Sequence, residues 1–326
     1  MKARGLCVVP FALLFVSVPA QAQPPARPAE VKTVAFEAKS VGRTLKYNVA
    51  LPANYEATTR RYPVLYLLHG YSGNYSNWAH MGAPKLAREH ELIVVMPDGG
   101  NSWYINWAKS DEGQKNAWDD CIVKDLVGHV DATYRTIAAR EGRAINGLSM
   151  GGYGALAVGL RHPDLFCSIG SHSGAVAFAK GFAERLRKGG DTPKKKGNRT
   201  PSETPNPEIG IAGFSSQAER SPKGKMFTTP EEADACDPFK LVLAVPKEKL
   251  PHIYVDCGTE DGLLKSNQDF VRLLMDNTIP FTYAESPGAH TGAYWTREIE
   301  SSMAVQARVI ARGLAKPGAD GKPSKP

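Results

Sequence analysis

The sequence predicts an α/β fold in which a mostly parallel central sheet, with an antiparallel start, is covered by helices on both faces. Short apolar, β-branched runs alternate with longer segments of helical periodicity along most of the chain. These runs are apolar throughout, as expected for strands that are buried on both faces. The chain of 326 residues is long enough for one large domain of this kind or for two smaller ones.

The order of the elements follows from the positions of these runs. Two strand-like runs come first and are expected to pair antiparallel, because the second alternates apolar and polar residues. The predicted strands are 32–38, 43–51, 64–68, 92–96, 143–145, 165–170, 253–257 and 281–285. The predicted helices are 82–90, 117–134, 153–160, 266–277 and 297–314.

One segment, about 180–234, interrupts the alternation. It is basic, rich in Pro, Gly, Ser and Thr, and has little periodicity, so we interpret it as an insertion within a domain that covers 23–312. Its polar composition offers too little apolar area for a core, which predicts a mobile flap over the substrate site. A solvated excursion without a functional role is the alternative. Residues 313–326 are predicted to be a disordered tail.

The first 22 residues have the pattern of a secretory signal peptide. A charged start, Met-Lys-Ala-Arg, precedes an apolar run over 5–18 and an Ala-x-Ala cleavage site that ends at Ala22. A membrane anchor is the alternative, but the apolar run is short for a bilayer span. We therefore expect a secreted or periplasmic protein with no stable membrane insertion after cleavage.

The net charge of +7 includes the signal peptide and a Lys-Lys-Lys run at 194–196 that is typical of a solvated loop. The chain has no basic patch interleaved with aromatic residues, so a nucleic-acid partner is not expected.

Of five cysteines, four remain after cleavage: Cys121, Cys167, Cys236 and Cys257. None forms a Cys-x-x-Cys pair, which argues against a zinc or thioredoxin-like site. An exported chain can oxidise its cysteines in several pairings. We expect Cys167 and Cys257 to be unlinked, because one begins its strand and the other ends the next strand of the sheet.

The hexapeptide Gly-Leu-Ser-Met-Gly-Gly at 147–152 lies between a predicted strand and a predicted helix. This is the context of a nucleophile elbow, a strained strand-turn-helix that presents a reactive serine, here Ser149, above a sheet. Gly147 and Gly151 flank the serine, where a side chain would clash with neighbouring backbone. A Gly-x-Ser-x-Gly match alone is weak, and the surrounding strand and helix strengthen it.

A serine nucleophile needs a base, and the base needs an orienting carboxylate. In the order typical of elbow enzymes, the acid and then the histidine follow the serine. Asp261 lies just after the strand 253–257 and is our choice for the acid, with Glu260 as the second choice. Asp256 is expected within the strand. His290 lies on the loop after the last strand and is the predicted base.

Two backbone N–H groups are expected to bind the oxyanion. One is that of Met150, which follows the nucleophile, and the other is that of Tyr71 in the glycine-rich loop after strand 64–68, with Ser72 as the second choice. Aromatic residues near these loops could line a substrate pocket or simply pack under a loop. They are Trp103, Tyr104, Trp107 and Trp118.

With these residues in place, the sequence resembles the esterase D family of α/β-hydrolases. That family includes S-formylglutathione hydrolases, feruloyl and acetyl-xylan esterases and the antigen 85 mycolyltransferases. The matching segments are 67–74 (Leu-Leu-His-Gly-Tyr-Ser-Gly-Asn), 96–101 (Met-Pro-Asp-Gly-Gly-Asn), 146–156 (Asn-Gly-Leu-Ser-Met-Gly-Gly-Tyr-Gly-Ala-Leu), 257–262 (Cys-Gly-Thr-Glu-Asp-Gly) and 287–290 (Pro-Gly-Ala-His). The resemblance implies an α/β-hydrolase fold and a triad of Ser149, Asp261 and His290.

The expected function is therefore that of a secreted serine esterase, which hydrolyses small-molecule or glycan-linked carboxylic esters and requires no metal and no organic cofactor. An acyltransferase with the same triad, in which an alcohol or sugar replaces water, is the alternative. A non-catalytic binding protein on a hydrolase scaffold is a remote third hypothesis, which the complete set of triad residues disfavours.

We predict that the exported protein begins at or near Gln23, because the Ala-x-Ala site ends at Ala22. Mass spectrometry of secreted or periplasmic material measures its mature N-terminus directly. Exported protein that retains Met1 would contradict cleavage.

Overall fold

The fold is built on an eight-stranded sheet, seen in a computed structural model that describes residues 30–190 and 221–315. The strands are β1 (Val31–Ala38), β2 (Arg43–Ala50), β3 (Val64–Leu68), β4 (Ile93–Pro97), β5 (Lys109–Ser110), β6 (Arg143–Gly147), β7 (Ser168–His172), β8 (Gly224–Lys225), β9 (His252–Gly258) and β10 (Phe281–Ser286). The order in the large sheet is β1-β2-β4-β3-β6-β7-β9-β10, and β5 and β8 form a separate two-stranded ribbon.

Helices connect these strands. They are α1 (Asn77–His80), α2 (Ala83–Glu89), α3 (Trp118–Asp120), α4 (Val127–Thr133), α5 (Met150–Arg161), α6 (Phe178–Arg187), α7 (Pro230–Asp234), α8 (Pro238–Ala244), α9 (Leu264–Asp276) and α10 (Gly292–Leu314). A π-helical turn, Cys121–Leu126, joins α3 to α4.

The pairing of the strands confirms the predicted sheet. β1 pairs antiparallel with β2, and β2 pairs antiparallel with β4. In the rest of the large sheet, which runs β4-β3-β6-β7-β9-β10, every neighbouring pair is parallel. The carboxyl ends of β3, β6, β9 and β10 therefore lie along one edge of the sheet, which is where a sheet of this class places its functional loops.

Each face of the sheet is covered by its own apolar core. On one face, side chains of α5 and α9 such as Leu156 and Phe270 pack against Tyr66 and Ile145. On the other face, side chains of α2 and α10 such as Leu86 and Met303 pack against strand residues that point the opposite way. This arrangement explains why the central strands are apolar throughout, since both of their faces are buried.

Most predicted strands agree with the structure within two residues, but the strand predicted at 165–170 begins later, at Ser168. Leu165 instead belongs to the turn after α5, where its N–H donates to the carbonyl of His162. The helix predicted at 117–134 is divided by the π-helical turn. The last helix begins five residues before the predicted start, at Gly292.

The insertion predicted at 180–234 is more ordered at its two ends than its composition suggests. α6 runs through its start, because Phe182 and Ala183 are buried while the lysine and arginine residues of the helix face solvent. α7 is fixed near its end by a capping box between Thr229 and Glu232. The predicted absence of regular structure is therefore wrong for these ends, and residues 191–220 lie outside the described residues.

The predicted signal peptide and most of the leader and the tail also lie outside the described residues. α10 includes Gly313 and Leu314, the first two residues of the predicted tail. Among residues 30–190 and 221–315, no helix has both the length and the apolar character needed to cross a bilayer.

All four cysteines of the described ranges, Cys121, Cys167, Cys236 and Cys257, are buried free thiols. The prediction that Cys167 and Cys257 are unlinked is confirmed.

We predict that Leu156→Ala lowers the free energy of unfolding by about 2–5 kcal/mol, because its side chain is fully buried between α5 and the sheet. Leu243→Ala in α8 is a matched control, since that side chain is 50% exposed, and should change stability by about 0.5 kcal/mol or less. Urea unfolding of both variants measures the difference. Equal losses would contradict the assigned core.

Candidate active site

The turn that carries Ser149 joins β6 directly to α5. Ser149 has φ 54° and ψ −116°, a conformation that residues with a side chain rarely adopt and that costs about 1–3 kcal/mol. Hydrogen bonds on both sides hold the turn: the Ser149 N–H donates to the carbonyl of His172 (2.9 Å) and the Leu148 N–H to that of Leu68 (3.2 Å). The strain is thus balanced by pairing with the strands on either side.

Two glycines make this turn sterically feasible. A Cβ atom at Gly147 would lie 2.2 Å from the carbonyl oxygen of Gly151. A Cβ atom at Gly151 would lie 2.3 Å from the carbonyl oxygen of Leu68. Because both neighbouring atoms belong to the backbone, neither can move aside. The structure therefore confirms that a side chain at Gly147 or Gly151 would clash.

The structure brings the three predicted site residues together in a hydrogen-bonded row. His290 Nε2 lies 2.8 Å from Ser149 Oγ, and His290 Nδ1 lies 2.7 Å from Asp261 Oδ2. A ring that carries its proton on Nδ1 satisfies both contacts, because Nδ1–H then donates to the carboxylate and Nε2 accepts from the hydroxyl. In this tautomer, His290 can accept the Ser149 proton.

The loops that carry Asp261 and His290 continue the parallel pairing of β9 and β10. The N–H of Thr259 donates to the carbonyl of Ser286 (3.0 Å), and that of Glu260 donates to the carbonyl of Gly288 (2.9 Å). Asp261 and His290 are therefore positioned by one continuous backbone ladder.

Glu260, the second choice for the acid, has an exposed side chain with no hydrogen bond to His290 among the described residues, whereas Asp261 meets the ring. The indole of Trp295 packs edge-to-face with the His290 ring, with ring centroids 4.9 Å apart and an interplanar angle of 89°.

The carboxylate of Asp261 is nearly inaccessible to solvent, with 1% of its side chain exposed. This burial raises the pKa of Asp261, but hydrogen bonds from His290 and from the Leu263 N–H (2.8 Å) outweigh it. The pKa of Asp261 therefore lies below the ordinary aspartate value. An ionised carboxylate is the form that can hold His290 in place and stabilise a positive charge on its ring.

The loop after β3 supplies the predicted oxyanion donors. At Gly70 a Cβ atom would lie 2.6 Å from Leu148 Cδ1 and 3.4 Å from Ser149 Cβ, so this backbone passes close to the nucleophile. The N–H of Ser72, the second choice, already donates to Asn101 Oδ1 at 2.8 Å. Among the described residues, the N–H of Tyr71 has no acceptor, so Tyr71 is the donor that the geometry favours.

The second predicted donor, Met150 N–H, belongs to the first residue of α5. The first N–H groups of a helix have no partner within the helix, and that of Met150 has no acceptor in the described residues. The positive end of the helix also favours a developing negative charge at this point.

The buried side chain of His69 fixes the shape of the loop after β3. Its Nδ1 lies 2.7 Å from the carbonyl oxygen of Gly70, and its Nε2 accepts from the N–H of Gly99 at 2.9 Å. The loop is therefore connected to the segment after β4, which also carries Asn101.

The four aromatic residues predicted to line a pocket differ in accessibility. Tyr104 is fully buried and its hydroxyl donates to the carbonyl of His69 (3.0 Å), while Trp118 is buried in the core beneath Arg43. Burial leaves these two side chains no surface for a substrate, which corrects the prediction for them. Trp103 and Trp107 are only partly buried, and the Trp107 indole N–H donates to the carbonyl of Ser102 (3.0 Å).

Sequence reasoning missed a neighbour of Trp103. Phe178, the first residue of α6, stacks on its indole with ring centroids 3.4 Å apart and an interplanar angle of 5°. Trp103 also lies 6.3 Å from the ring of Tyr71, which is 49% exposed. The first residue of α6, just before the predicted insertion, is thus joined through Trp103 to the loop after β3, a contact across 75 positions that no local pattern signals.

Asn101 was also missed, although it ends the quoted segment Met-Pro-Asp-Gly-Gly-Asn. It is 3% exposed, accepts from the Ser72 N–H and donates to Ser221 Oγ (3.1 Å). Its side chain therefore joins the loop after β3 to Ser221 within the predicted insertion.

Comparison with known proteins identifies the family. The family model for esterases matches residues 38–303, which is most of the chain. The chain belongs to this esterase family.

Curated relatives agree with the family. An esterase of Mycobacterium tuberculosis is 37% identical over 150 residues, which are 45% of this chain and 33% of that protein. The chain thus matches about a third of the length of this relative. An acetyl esterase of Caldicellulosiruptor saccharolyticus is 29% identical over 249 residues, which are 75% of this chain and 83% of that protein.

Solved structures share the fold. A ferulic acid esterase has a TM-score of 0.63 at 24% identity, covering 86% of this chain and 98% of its own. An S-formylglutathione hydrolase from Agrobacterium tumefaciens has a TM-score of 0.65 at 17% identity, covering 89% of this chain and 99% of its own. These similarities confirm the predicted α/β-hydrolase fold.

We predict that Asp261→Asn destabilises the protein at neutral pH and that this loss shrinks in acid. Because the folded-state pKa of Asp261 is lowered, its ionised carboxylate stabilises the fold above the unfolded-state pKa of about 4. That contribution is lost as the pH falls through the folded-state pKa. Urea unfolding of wild type and variant between pH 7 and pH 3 measures the difference.

Glu260→Gln, one residue earlier in an exposed position, is the control and should change stability by about 0.5 kcal/mol or less at neutral pH. A loss for Asp261→Asn that stays constant down to pH 3 would contradict the lowered pKa.

Proposed function

We propose that this protein is a secreted serine esterase that hydrolyses carboxylic esters through an acyl-enzyme on Ser149. The observation that carries the proposal is the row of hydrogen bonds from Ser149 Oγ through His290 to the buried carboxylate of Asp261. Membership of the esterase family supports the reaction class. Secretion is proposed from the signal-like sequence of residues 1–22.

The first half of the reaction forms the acyl-enzyme. Ser149 Oγ attacks the ester carbonyl carbon while its proton passes to His290 Nε2, and Asp261 stabilises the resulting imidazolium. The carbonyl oxygen becomes an oxyanion that accepts hydrogen bonds from Tyr71 N–H and Met150 N–H. When the tetrahedral intermediate collapses, His290 returns the proton to the departing alkoxide, and the alcohol leaves.

The second half releases the acid. A water molecule takes the place of the alcohol and attacks the acyl carbon, with its proton passing to His290. Collapse of the second intermediate breaks the bond to Ser149 Oγ, which regains the proton from His290. Neither half requires a metal or an organic cofactor, because the donors of this chain supply both the base and the oxyanion stabilisation.

The substrate side of the site supports a small ester. Trp103 and the half-exposed ring of Tyr71 provide apolar surface beside the oxyanion loop. Relatives of this chain include an acetyl esterase, and a solved neighbour is a ferulic acid esterase bound to ferulic acid. We therefore propose acetyl or aromatic acyl esters of small molecules or glycans as the substrate class.

A panel of p-nitrophenyl, feruloyl and acetylated-sugar esters tests the proposal. Release of free acid in water supports hydrolysis. Glycerol and trehalose are offered as acceptors in parallel. If the acyl group is transferred to either one and less free acid is released, the protein is an acyltransferase and not a hydrolase, with the same proposed catalytic residues.

We predict that Ser149→Ala folds normally but loses ester hydrolysis by a factor on the order of 10⁴–10⁶, because only the attacking oxygen is removed. His290→Ala should lose as much, and Asp261→Asn should lose about 10⁴-fold because the His290 tautomer is no longer fixed. Steady-state kinetics on the best ester of the panel measures the losses, with circular dichroism as the control for folding. Near-wild-type turnover of Ser149→Ala would disprove the mechanism.

A further inference from the structure

A second Ser-His-Asp arrangement lies behind the nucleophile. His172, the last residue of β7, has Nδ1 2.6 Å from Asp256 Oδ2 and Nε2 2.8 Å from Ser302 Oγ. All three residues are fully buried, so this serine cannot meet a substrate. Its residue types match those of the accessible row, but its burial requires a different role.

The backbone of His172 holds the nucleophile. Its carbonyl accepts from the Ser149 N–H at 2.9 Å, and His172 also forms an isolated parallel bridge with Leu148. Because Ser149 is in a strained conformation, the position of this carbonyl affects where Ser149 Oγ lies. Contacts that hold the His172 side chain in place therefore also hold the backbone carbonyl that binds Ser149.

The other side of the elbow is tied to the same helix. Asn146, which precedes Gly147 in β6, donates from Nδ2 to Ser302 Oγ (3.1 Å) and to Gln306 Oε1 (3.0 Å). Its Oδ1 accepts from the Gly147 N–H at 2.7 Å. Ser302 and Gln306 both lie on α10, so buried side chains fasten the ends of β6 and β7 to one helix.

The His172 ring contacts polar groups at both of its nitrogens. Nε2 lies 2.8 Å from Ser302 Oγ and 3.4 Å from Asn146 Nδ2, while Nδ1 lies 2.6 Å from Asp256 Oδ2. The hydroxyl of Ser302 also lies 3.0 Å from the carbonyl oxygen of Ile299 in its own helix.

Nδ1 of His172 and Oδ2 of Asp256 have no aligned hydrogen-bond partner among the described residues, so their 2.6 Å contact is a close approach of the ring to the carboxyl group.

Such a cluster of polar groups is costly to bury, and apolar residues of similar volume would often stabilise a fold as well. Its location between the two strands of the elbow gives it a role in geometry. We propose that His172 is a positioning residue whose ring, held by Asp256 and Ser302, keeps Ser149 Oγ within reach of His290 Nε2. This inference rests on the proposed role of Ser149 as the nucleophile.

Ser302→Ala and His172→Gln test the proposal. The first removes the hydroxyl that contacts Nε2, and the second keeps a polar group toward Ser302 but removes the contact with Asp256. The matched control is Asp131→Asn, which breaks the buried ion pair with Arg143 at the far end of β6 without touching the elbow. Thermal unfolding places the three variants on one stability scale, and kinetics are measured well below their midpoints.

The readouts are kcat and KM for a p-nitrophenyl ester and the rate at which a fluorophosphonate phosphonylates Ser149 with loss of fluoride. We expect Ser302→Ala and His172→Gln to lower kcat and the labelling rate about 10–100-fold with KM little changed, because a misplaced nucleophile loses rate and not binding. Asp131→Asn should lose stability but keep its kcat. Wild-type kcat in both elbow variants, with stability reduced as in the control, would overturn the proposal.

The outcomes are separable from the proposed function: an active Ser149→Ala would remove the nucleophile itself, whereas an inactive Ser149→Ala beside fully active Ser302→Ala and His172→Gln would remove only the positioning role.

Discussion

The strained backbone at Ser149 is the constraint on which the rest of the site depends. A serine at φ 54° and ψ −116° persists only if its surroundings fix it, and here they do so from three directions. Glycines at 147 and 151 remove the atoms that would clash, β3 accepts the Leu148 N–H, and β7 accepts that of Ser149. The same turn places the Met150 N–H at the start of α5, so the strain positions Ser149 Oγ and this N–H together.

The parts of the site that sequence could predict are those that follow from local chemistry. Gly147 and Gly151 are required by the turn itself, so the elbow is visible in six residues. Asp261 and His290 each follow a strand of the sheet, and parallel strands bring their carboxyl ends to one edge. Sequence could not decide between Tyr71 and Ser72, because the deciding bond runs from the Ser72 N–H to Asn101, which lies on a different loop.

What sequence could not predict depends on contacts between distant segments. α6 was not recognised within the insertion because its charged residues outnumber the buried Phe182 and Ala183 that hold it. Phe178 and Trp103 are 75 positions apart, and nothing in either segment signals that their rings stack. Tyr104 was predicted as a pocket residue from its place on the loop after β4, yet its ring fills a space that Gly99 and Gly154 leave open.

The two Ser-His-Asp arrangements show that composition does not determine role. In both, a histidine lies between a carboxylate and a hydroxyl at about hydrogen-bonding distance, and both carboxylates are carried by β9 or the turn after it. In the accessible row, the side chain of His290 is 36% exposed, so a ligand can approach Ser149 and the ring. In the buried one, His172, Asp256 and Ser302 are closed off from solvent, and Ser302 Oγ also lies 3.0 Å from the carbonyl oxygen of Ile299. Access to solvent thus separates a row that a substrate could reach from one that can only hold the structure.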